Sequence, residues 1–300
     1  MAIPDTQLQT WAHQGAVQSS EATHKSIRAA LASYEPLQRR DYEVFLQGSY
    51  RNATNIYGES DVDVVAQLNS SFQYNLLNLT EGEQQQFQRD FPSAATYTWS
   101  EFRKDVLAAL VRYYGPRLVK EGKKCIKVLR DGNRLDADVV VCMQYRNYQR
   151  YTYGARQFVE GMTSYVPSET RWVVNYPKEH IRHGSDKNSA TRDWFKPTVR
   201  MFKNARARLV DDHIIERAVA PSYFIECLVY NAPNEAFGGT WQQAYYDVLC
   251  ALSRIMTTNS SWCVCVNEMV YLFGNTPEQW STYNAITFLA ALHAQWDNWR

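Results

Sequence analysis

The sequence predicts an α+β fold in two lobes, with strands in the first lobe and helices in the second. Polar and apolar residues alternate at 42–47 and again from residue 61, which is typical of strands buried on one face. From about residue 185 to the end, apolar residues instead recur at helical spacing, with breaks at glycine and proline clusters. We therefore predict a core domain at 1–180 and a helical lobe at 181–300.

A long helix is predicted to lead the chain. Residues Asp5 to Tyr34 favour helix, and Ile27, Ala30 and Leu31 recur on one stripe of it. Glu35-Pro36 should end this helix, because a proline disfavours helical geometry in the residue before it.

Two aspartates stand at the start of the second predicted strand. Tyr42 to Gln47 forms the first strand, Gly48-Ser49 breaks it with a turn, and the second strand begins at Asp61. Because side chains alternate along a strand, Asp61 and Asp63 share one face while the valine between them points into the core. Two carboxylates this close repel each other unless a hard cation such as Mg²⁺ binds both. The pair therefore indicates a metal site.

Gly48 and Ser49 are predicted to bind phosphate. A glycine allows backbone N–H groups to approach a phosphate closely, and a serine hydroxyl can bind its oxygens. A Gly-Ser pair alone is more often an ordinary turn, so the rest of the chain must decide between these interpretations.

An irregular segment and a helix follow in the core domain. Residues 69–100 are polar and are predicted to be irregular, with one short helix near Glu81 to Arg89. Ser100 is the expected N-cap of a longer helix that Gly115-Pro116 stops.

A hairpin with two further aspartates is predicted next. Asp131-Gly132-Asn133 separates two β-type runs and is the strongest short hairpin signal in the chain. The second run carries Asp136 and Asp138 on one face. Taken alone, such an aspartate can equally be an edge-strand charge that discourages aggregation.

Lys203 and Ser222 are the candidate phosphate ligands of the helical lobe. Lys203 lies on a helix beside its apolar stripe, and Ser222 follows Pro221 near a helix start, where free N–H groups favour phosphate. A solvated basic face is the alternative for Lys203, and an N-cap is the alternative for Ser222. His180 and His183 have helical spacing for a metal, but without further ligands such pairs are more often structural.

Composition limits the ligands and the location. Lys and Arg total 32 against 31 Asp and Glu, so a net charge of +1 provides no bulk basic field for long nucleic acid. The six cysteines lack the spacing of a secreted disulfide framework and are expected to be reduced. No apolar run approaches the roughly 20 residues of a membrane span, so we expect a cytoplasmic protein.

The stretch GSYRNATNIYGESDVDVV, residues 48–65, resembles the Gly-Ser plus Asp-x-Asp signature of the polymerase-beta-like nucleotidyltransferases. Within that superfamily, the chain most resembles the bacterial cGAS/DncV-like enzymes (CD-NTases) of anti-phage signalling. The resemblance implies a mixed β-sheet core, a long N-terminal helix, a C-terminal helical bundle and an active site in the cleft between the two lobes.

The resemblance also implies roles for single residues. A third metal-binding carboxylate precedes two apolar residues in the family, and Asp138-Val139-Val140 matches that position better than Asp136, which is the fallback. Catalysis and metal binding then fall to Asp61, Asp63 and Asp138. The implied nucleotide-binding residues are Gly48, Ser49, Lys203, Ser222 and Tyr223, with the Tyr223 ring stacked on the donor base.

The implied reaction joins nucleoside triphosphates into a cyclic di- or trinucleotide second messenger and releases pyrophosphate. Two Mg²⁺ ions are expected, with Mn²⁺ possible, and ATP and GTP are the expected substrates of a monomer without a membrane partner. An activating RNA or a regulatory protein fits the family. A nucleotidyltransferase that modifies a protein, an RNA end or a small molecule would share the three aspartates, and a nucleotide-binding sensor with a dead site is the non-enzymatic alternative.

Overall fold

A computed structural model describes residues 1–15, 18–57, 61–132 and 134–299 of the chain. The chain forms two compact units. The sheet unit comprises Gln18–Gln47 and Ser60–Lys178, and the helical unit comprises Met1–Val17, Gly48–Glu59 and Glu179–Arg300. This grouping assigns the first residues of the chain and the segment after the first strand to the helical unit. The division predicted from the sequence, 1–180 and 181–300, stays a prediction.

Helices and strands follow one another in an order that separates a β-rich region from a helical one. The elements are α1 (Asp5–Ala12), α2 (Gln18–Ala32), α3 (Glu35–Gln38), β1 (Tyr42–Leu46), α4 (Gly48–Asn52), β2 (Val62–Asn75), α5 (Glu81–Asp90), α6 (Trp99–Tyr114), β3 (Val119–Glu121), β4 (Ile126–Val128), β5 (Ala137–Thr152), β6 (Ala155–Val166), β7 (Arg171–Asn175), α7 (Pro177–Ala190), α8 (Phe195–Asp211), α9 (Ser222–Tyr230), α10 (Trp241–Thr258) and α11 (Thr282–Asp297).

One mixed sheet forms the sheet unit. Its strand order is β1-β2-β5-β4-β3, and β6 pairs with both β5 and β7. The β2 and β5 strands run parallel, whereas β1 and β2, and β4 and β5, run antiparallel. A parallel pair needs a long connection, and α5 and α6 lie between β2 and β5 in the chain. The predicted α+β fold with a mixed sheet is confirmed.

Apolar faces of α2 and α6 pack against this sheet. Ile27, Ala30 and Leu31 of α2 are fully buried, as the predicted stripe requires. On α6, Phe102 and Val106 are equally buried, and Gly115 ends the helix with a φ of 84°. Burial of these side chains supplies the main favourable free energy for holding the helices on the sheet.

The predicted single leading helix is wrong, because α1 ends at Ala12 and α2 begins at Gln18. His13 is extended, with a ψ of 142°, and the Gly15 N–H donates to the Asn55 carbonyl at 3.1 Å. A Cβ on Gly15 would lie 2.9 Å from the Ile56 carbonyl carbon, so only glycine fits this approach. Contact with a segment 40 residues later therefore overrides the local helical preference.

Two further boundaries differ from the predictions between 69 and 115. The β2 strand continues to Asn75 with a register irregularity after Leu68, so the start of the predicted irregular segment is strand. The predicted short helix is confirmed as α5. Helix α6 begins two residues early, with Thr98 as its N-cap, because Thr98 and Glu101 exchange the hydrogen bonds of a capping box.

The predicted tight hairpin around Asp131-Gly132-Asn133 is a longer connection. The β4 and β5 strands pair from Val128 and Ala137, so residues 129–136 join them. Gly132 has a φ of 57°, and Asn133 lies outside the described residues. The Asp136 carboxylate accepts a hydrogen bond from the Arg130 N–H at 2.7 Å and thereby stabilises this connection.

A separate apolar core holds the helical unit together. It joins Leu8 of α1 with side chains from α8 to α11, including Phe202, Phe224, Val248 and Phe288. The helical pattern begins earlier than predicted, since α7 starts at Pro177. Within the described residues, no helix is both long and apolar enough to cross a membrane. All six cysteines are free thiols.

Candidate active site

Asp63 and Asp138 are direct neighbours on two parallel strands of the sheet unit. Asp63 of β2 is the register partner of Asp138 of β5, so both side chains lie on one face of the sheet. Val62 and Val64 flank Asp63 and are fully buried on the opposite face, as alternation predicts. Asp61 directly precedes β2, which begins at Val62 and not at Asp61.

Lys127 joins two of these carboxylates. It lies opposite Asp138 on the antiparallel β4 strand, and its Nζ is 3.1 Å from Asp61 Oδ2 and 3.5 Å from Asp138 Oδ1. The hydrogen bond to Asp61 and the charge of Asp138 raise the pKa of Lys127, so the ammonium is retained. Lys127 links Asp61 to Asp138, and the strand register places Asp63 beside Asp138. We call this group the carboxylate cluster: Asp61, Asp63, Lys127 and Asp138.

The carboxylate cluster has the chemistry of a hard-cation site. Among the described residues, no three His, Cys, Asp or Glu side chains are already arranged to hold one metal ion. However, Asp138 Oδ1 is shielded from solvent and accepts no hydrogen bond of good geometry from the described residues. A solvent-shielded oxygen of Asp138, which neighbours Asp63 in the sheet and shares the Lys127 ammonium with Asp61, fits Mg²⁺ or Mn²⁺, which prefer oxygen ligands.

Sequence reasoning missed Lys127. The available signal was the hairpin, since a lysine on the run before Asp131-Gly132 must lie across from one of the two aspartates after it. These two aspartates, the preferred Asp138 and the fallback Asp136, have different surroundings in the structure. Asp138 pairs with Asp63, whereas the Asp136 carboxylate bonds the Arg130 N–H.

Gly48 and Ser49 begin a short helix of the helical unit. The structure has α4 at this point, where the sequence predicted a turn. Gly48 has a φ of 68°, a left-handed conformation that strains any residue with a Cβ. The Ser49 carbonyl accepts a hydrogen bond from the Thr54 N–H at 2.9 Å, which closes the segment on itself.

A buried polar group, which we call the Glu226 cluster, lies in the same unit. Glu226 Oε1 accepts hydrogen bonds from Lys203 Nζ and from the Thr54 hydroxyl, both at 2.6 Å. Glu226 Oε2 accepts from His180 Nε2 at 3.1 Å and from Asn52 Nδ2 at 3.4 Å. Burial would raise the pKa of Glu226, but the opposing effects of Lys203 and His180 hold it far below its usual range. The carboxylate is therefore ionised.

Lys203 is fully buried in this cluster. Its Nζ also lies 3.1 Å from the Thr54 carbonyl and 3.5 Å from the Thr54 hydroxyl. Its predicted contact with a nucleotide phosphate stays a prediction. Sequence patterns do not predict the pairing of Lys203 with Glu226, because the two residues lie 23 positions apart on different helices. His180 hydrogen-bonds Glu226, and His183 Nε2 lies 3.5 Å from Glu268 Oε2. Each histidine therefore pairs with a carboxylate of the protein, which agrees with a structural role.

Ser222 and Tyr223 open α9. Ser222 accepts a hydrogen bond from the buried Arg206 guanidinium at 3.2 Å. The Tyr223 ring lies near those of His180 and Trp280, with centroid distances of 5.2 and 5.6 Å, and burial raises the pKa of its hydroxyl. These positions place the predicted pair at the first turn of one helix. Their predicted roles toward a nucleotide stay predictions.

Comparison with known proteins covers the whole chain. Residues 182–297 match the model of the cGAS/DncV-like nucleotidyltransferase C-terminal helical domain. A cyclic UMP-AMP synthase of Rhodothermus marinus is 47% identical over 299 residues, covering 100% of this chain and 99% of the relative. A cyclic nucleotide synthase of Staphylococcus haemolyticus is 35% identical over 304 residues, covering 100% of both chains.

Solved structures show the same similarity in three dimensions. The Rhodothermus marinus CdnE c-UMP-AMP synthase with Apcpp and Upnpp superimposes with a TM-score of 0.89, covering 99% of this chain and 97% of that one at 47% identity. The Elizabethkingia meningoseptica CdnE cyclic dinucleotide synthase with GTP and Apcpp gives 0.76, covering 96% and 97% at 28% identity. The resemblance seen in the sequence is confirmed, and the chain belongs to the cGAS/DncV-like nucleotidyltransferases.

Proposed function

We propose that the protein joins two nucleoside triphosphates into a cyclic dinucleotide second messenger and releases pyrophosphate. The observation that carries this proposal is the pairing of Asp63 with Asp138 on neighbouring parallel strands, in a chain similar over its whole length to cyclic nucleotide synthases. Carboxylates on one face of a sheet suit phosphoryl transfer, where positioning and charge stabilisation do most of the catalysis.

Members of this family use divalent metal ions. We propose that Asp61, Asp63 and Asp138 hold two Mg²⁺ ions, or Mn²⁺ in their place. When bound, such ions lower the pKa of an attacking ribose hydroxyl and offset charge on the departing pyrophosphate. Lys127 keeps the Asp61 and Asp138 carboxylates together and reduces their mutual repulsion.

The helical unit supplies the proposed nucleotide contacts. Gly48 and Ser49 offer a backbone and a hydroxyl for phosphate, and Ser222 offers a second hydroxyl at a helix start. Tyr223 offers a ring for the base, a contact that tolerates any base because every base has a π-face. The family resemblance implies that Lys203 also binds the nucleotide. Its enclosure by Glu226 and Thr54 favours an indirect role in nucleotide binding.

For the substrates, we propose ATP with UTP. The 47% identical relative is a cyclic UMP-AMP synthase, and its solved structure contains Apcpp and Upnpp. More distant relatives include cyclic dipyrimidine and cyclic dipurine synthases, so GTP, expected from the sequence, stays the alternative. The products of these three relatives are all cyclic dinucleotides, which favours a ring of two nucleotides over a ring of three.

Incubation with the four NTPs and Mg²⁺ tests the substrates. We expect a phosphatase-resistant product with the mass of a cyclic dinucleotide, which disappears when ATP or UTP is omitted. If the product instead disappeared when GTP was omitted and persisted without UTP, the substrates would be ATP and GTP, as the sequence predicts. A labelled protein, RNA end or small molecule without a cyclic product would contradict the proposal in favour of a modifying nucleotidyltransferase.

The biological setting is also a proposal. Cyclic nucleotide synthesis by a bacterial CD-NTase suits anti-phage signalling in the cytoplasm, by a monomer whose activity an RNA or a regulatory protein controls. Phage challenge of cells that carry the protein, with an Asp63→Asn variant as the inactive comparison, tests the first part. Equal plaque counts for both would contradict a defensive role.

A further inference from the structure

The segment 53–56, which directly follows α4, is largely buried although two of its residues are polar. Thr54 and Asn55 are 1% and 0% exposed, and Ala53 has a left-handed φ of 58°. The preceding α4 helix has only five residues, and a single helical turn is not stable by itself in water. The position of this segment must therefore come from contacts with other parts of the helical unit.

Three consecutive carbonyls of the segment accept hydrogen bonds from distant donors. The Ala53 carbonyl accepts from Arg200, the Thr54 carbonyl from Lys203, and the Asn55 carbonyl from the Gly15 N–H. The Thr54 side chain adds a fourth bond, to Glu226. Since α8 and α9 provide three of these four bonds, the segment is tied to the two helices that carry Lys203 and Glu226.

Lys203 has no hydrogen left for a phosphate. An ammonium carries three N–H donors, and the Lys203 ammonium has three oxygens within 3.5 Å, one on Glu226 and two on Thr54. The side chain is 0% exposed. Withdrawing it toward a ligand would leave the buried Glu226 carboxylate without its main counter-charge, which is strongly unfavourable.

We propose that Glu226 and Lys203 are positioning residues, which fix the segment behind Gly48 and Ser49 and thereby set the geometry of nucleotide binding. Lys203 then acts through Thr54 and not by contact with a phosphate. The inference rests on the proposed function, because it assigns Gly48 and Ser49 to the nucleotide. It makes Thr54 the point at which the Glu226 cluster acts on the segment.

A pair of substitutions at Thr54 tests this without altering a charge. Thr54→Val keeps the shape and removes the hydroxyl, whereas Thr54→Ser keeps the hydroxyl. For Thr54→Val we expect amide hydrogen exchange in residues 48–57 to quicken by about 10-fold, as for loss of one hydrogen bond, and the KM for ATP to rise with a smaller change in kcat. Thr54→Ser should stay within about twofold of the natural protein in both measurements.

Thr198→Val is the matched control for loss of a buried hydroxyl. Thr198 lies on α8, is fully buried, and donates its hydroxyl hydrogen to the Trp194 carbonyl at 2.8 Å. We expect it to lower the melting temperature as Thr54→Val does, with unchanged exchange in 48–57 and an unchanged KM. Equal effects of both valine variants on exchange and KM would overturn the inference.

A double-mutant cycle separates positioning from direct contact. Lys203→Met and Thr54→Val are measured singly and together for binding of a non-hydrolysable ATP analogue. If Lys203 acts through Thr54, the two losses of affinity should be strongly non-additive. Additive losses would show that Lys203 does not act through Thr54 and would overturn the inference.

The inference and the proposed function fail in different ways. If the natural protein formed no cyclic product, the proposed function would be overturned, whereas hydrogen exchange would still report on the segment. Unchanged exchange in Thr54→Val, in a preparation that makes cyclic product, would overturn the inference alone.

Discussion

Lys127 lies directly opposite Asp138 on antiparallel strands, and its ammonium contacts the carboxylates of both Asp138 and Asp61. A cation between two carboxylates reduces their repulsion and keeps them on one face of the sheet. The carboxylate cluster therefore contains its own counter-charge.

This relationship predicts a metal-dependent stability effect for Lys127→Met. Because the ion pairs are partly exposed, the loss should be at most about 1 kcal/mol, or roughly 2–4 °C in melting temperature without divalent ions. Mg²⁺ should then raise the melting temperature of the variant more than that of the natural protein, since it replaces the lost positive charge. Thermal melts with EDTA and with Mg²⁺ measure both values.

The control for that effect is Lys124→Met. Lys124 pairs with Glu169 at 3.3 Å, lies near β4 in the chain, and is more exposed than Lys127. We expect its response to Mg²⁺ to match the natural protein. Equal Mg²⁺ responses in all three proteins would contradict the role assigned to Lys127.

Asparagine at the paired carboxylates should abolish activity and preserve the fold. Mutation of a residue that hydrogen-bonds a metal ligand typically lowers activity by about 10- to 100-fold. Asp63→Asn and Asp138→Asn change proposed metal ligands themselves, so each should lower kcat by at least that factor. Asp136→Asn should keep activity and lose only about 1 kcal/mol or less of stability, because its carboxylate bonds the Arg130 N–H. Initial rates of pyrophosphate release give the comparison, and loss of activity in Asp136→Asn alone would show that the third carboxylate is misassigned.

Alanine at Gly48 should affect nucleotide binding as well as stability. Gly48 and Gly132 have left-handed φ values of 68° and 57°, so a Cβ at either position costs about 1–2 kcal/mol. Only Gly48→Ala should also raise the KM for ATP, because Gly132 lies in the connection before β5. Chemical denaturation and steady-state kinetics separate the effects, and a normal KM in Gly48→Ala would argue against a phosphate-binding role.

Glu226 predicts how stability depends on pH. Its pKa in the folded protein is lowered far beneath the value of about 4.5 expected in the unfolded chain, so the unfolded chain binds more protons in acid. The stability it contributes is present above that value and lost as pH falls below it. Urea unfolding between about pH 5 and pH 3 should show a shallower decline in the double variant Glu226→Gln with Lys203→Met. An equal decline would mean that Glu226 is not the titrating group.

Local periodicity predicted the parts of the fold that depend on neighbouring residues. Alternation around Asp63 identified the strand and its acidic face, and the stripe through Ile27 and Leu31 identified the buried side of α2. The family resemblance then supported Asp138 as the third carboxylate. The strand and helix predictions succeed because their signal lies within a few turns or pleats of the chain, whereas the role of Asp138 stays a prediction.

Long-range pairing accounts for what the sequence did not reveal. The break after Ala12 depends on the approach of Gly15 to Asn55, and the partnership of Lys127 with Asp138 depends on how β4 aligns with β5. Lys203 carries the same charge whether it is solvated, bound to phosphate or buried against Glu226. Its sequence neighbourhood cannot distinguish these states, because the partner comes from another helix.

Stoichiometry of pyrophosphate and product tests the central claim most directly. Purified protein is supplied with ATP, UTP and Mg²⁺, and released pyrophosphate is counted against nucleotide product identified by intact mass. Ring closure forms two phosphodiester bonds, so the account predicts two pyrophosphates per dinucleotide and a product without terminal phosphates. One pyrophosphate per dinucleotide, with a product that keeps a triphosphate end removable by phosphatase, would contradict it.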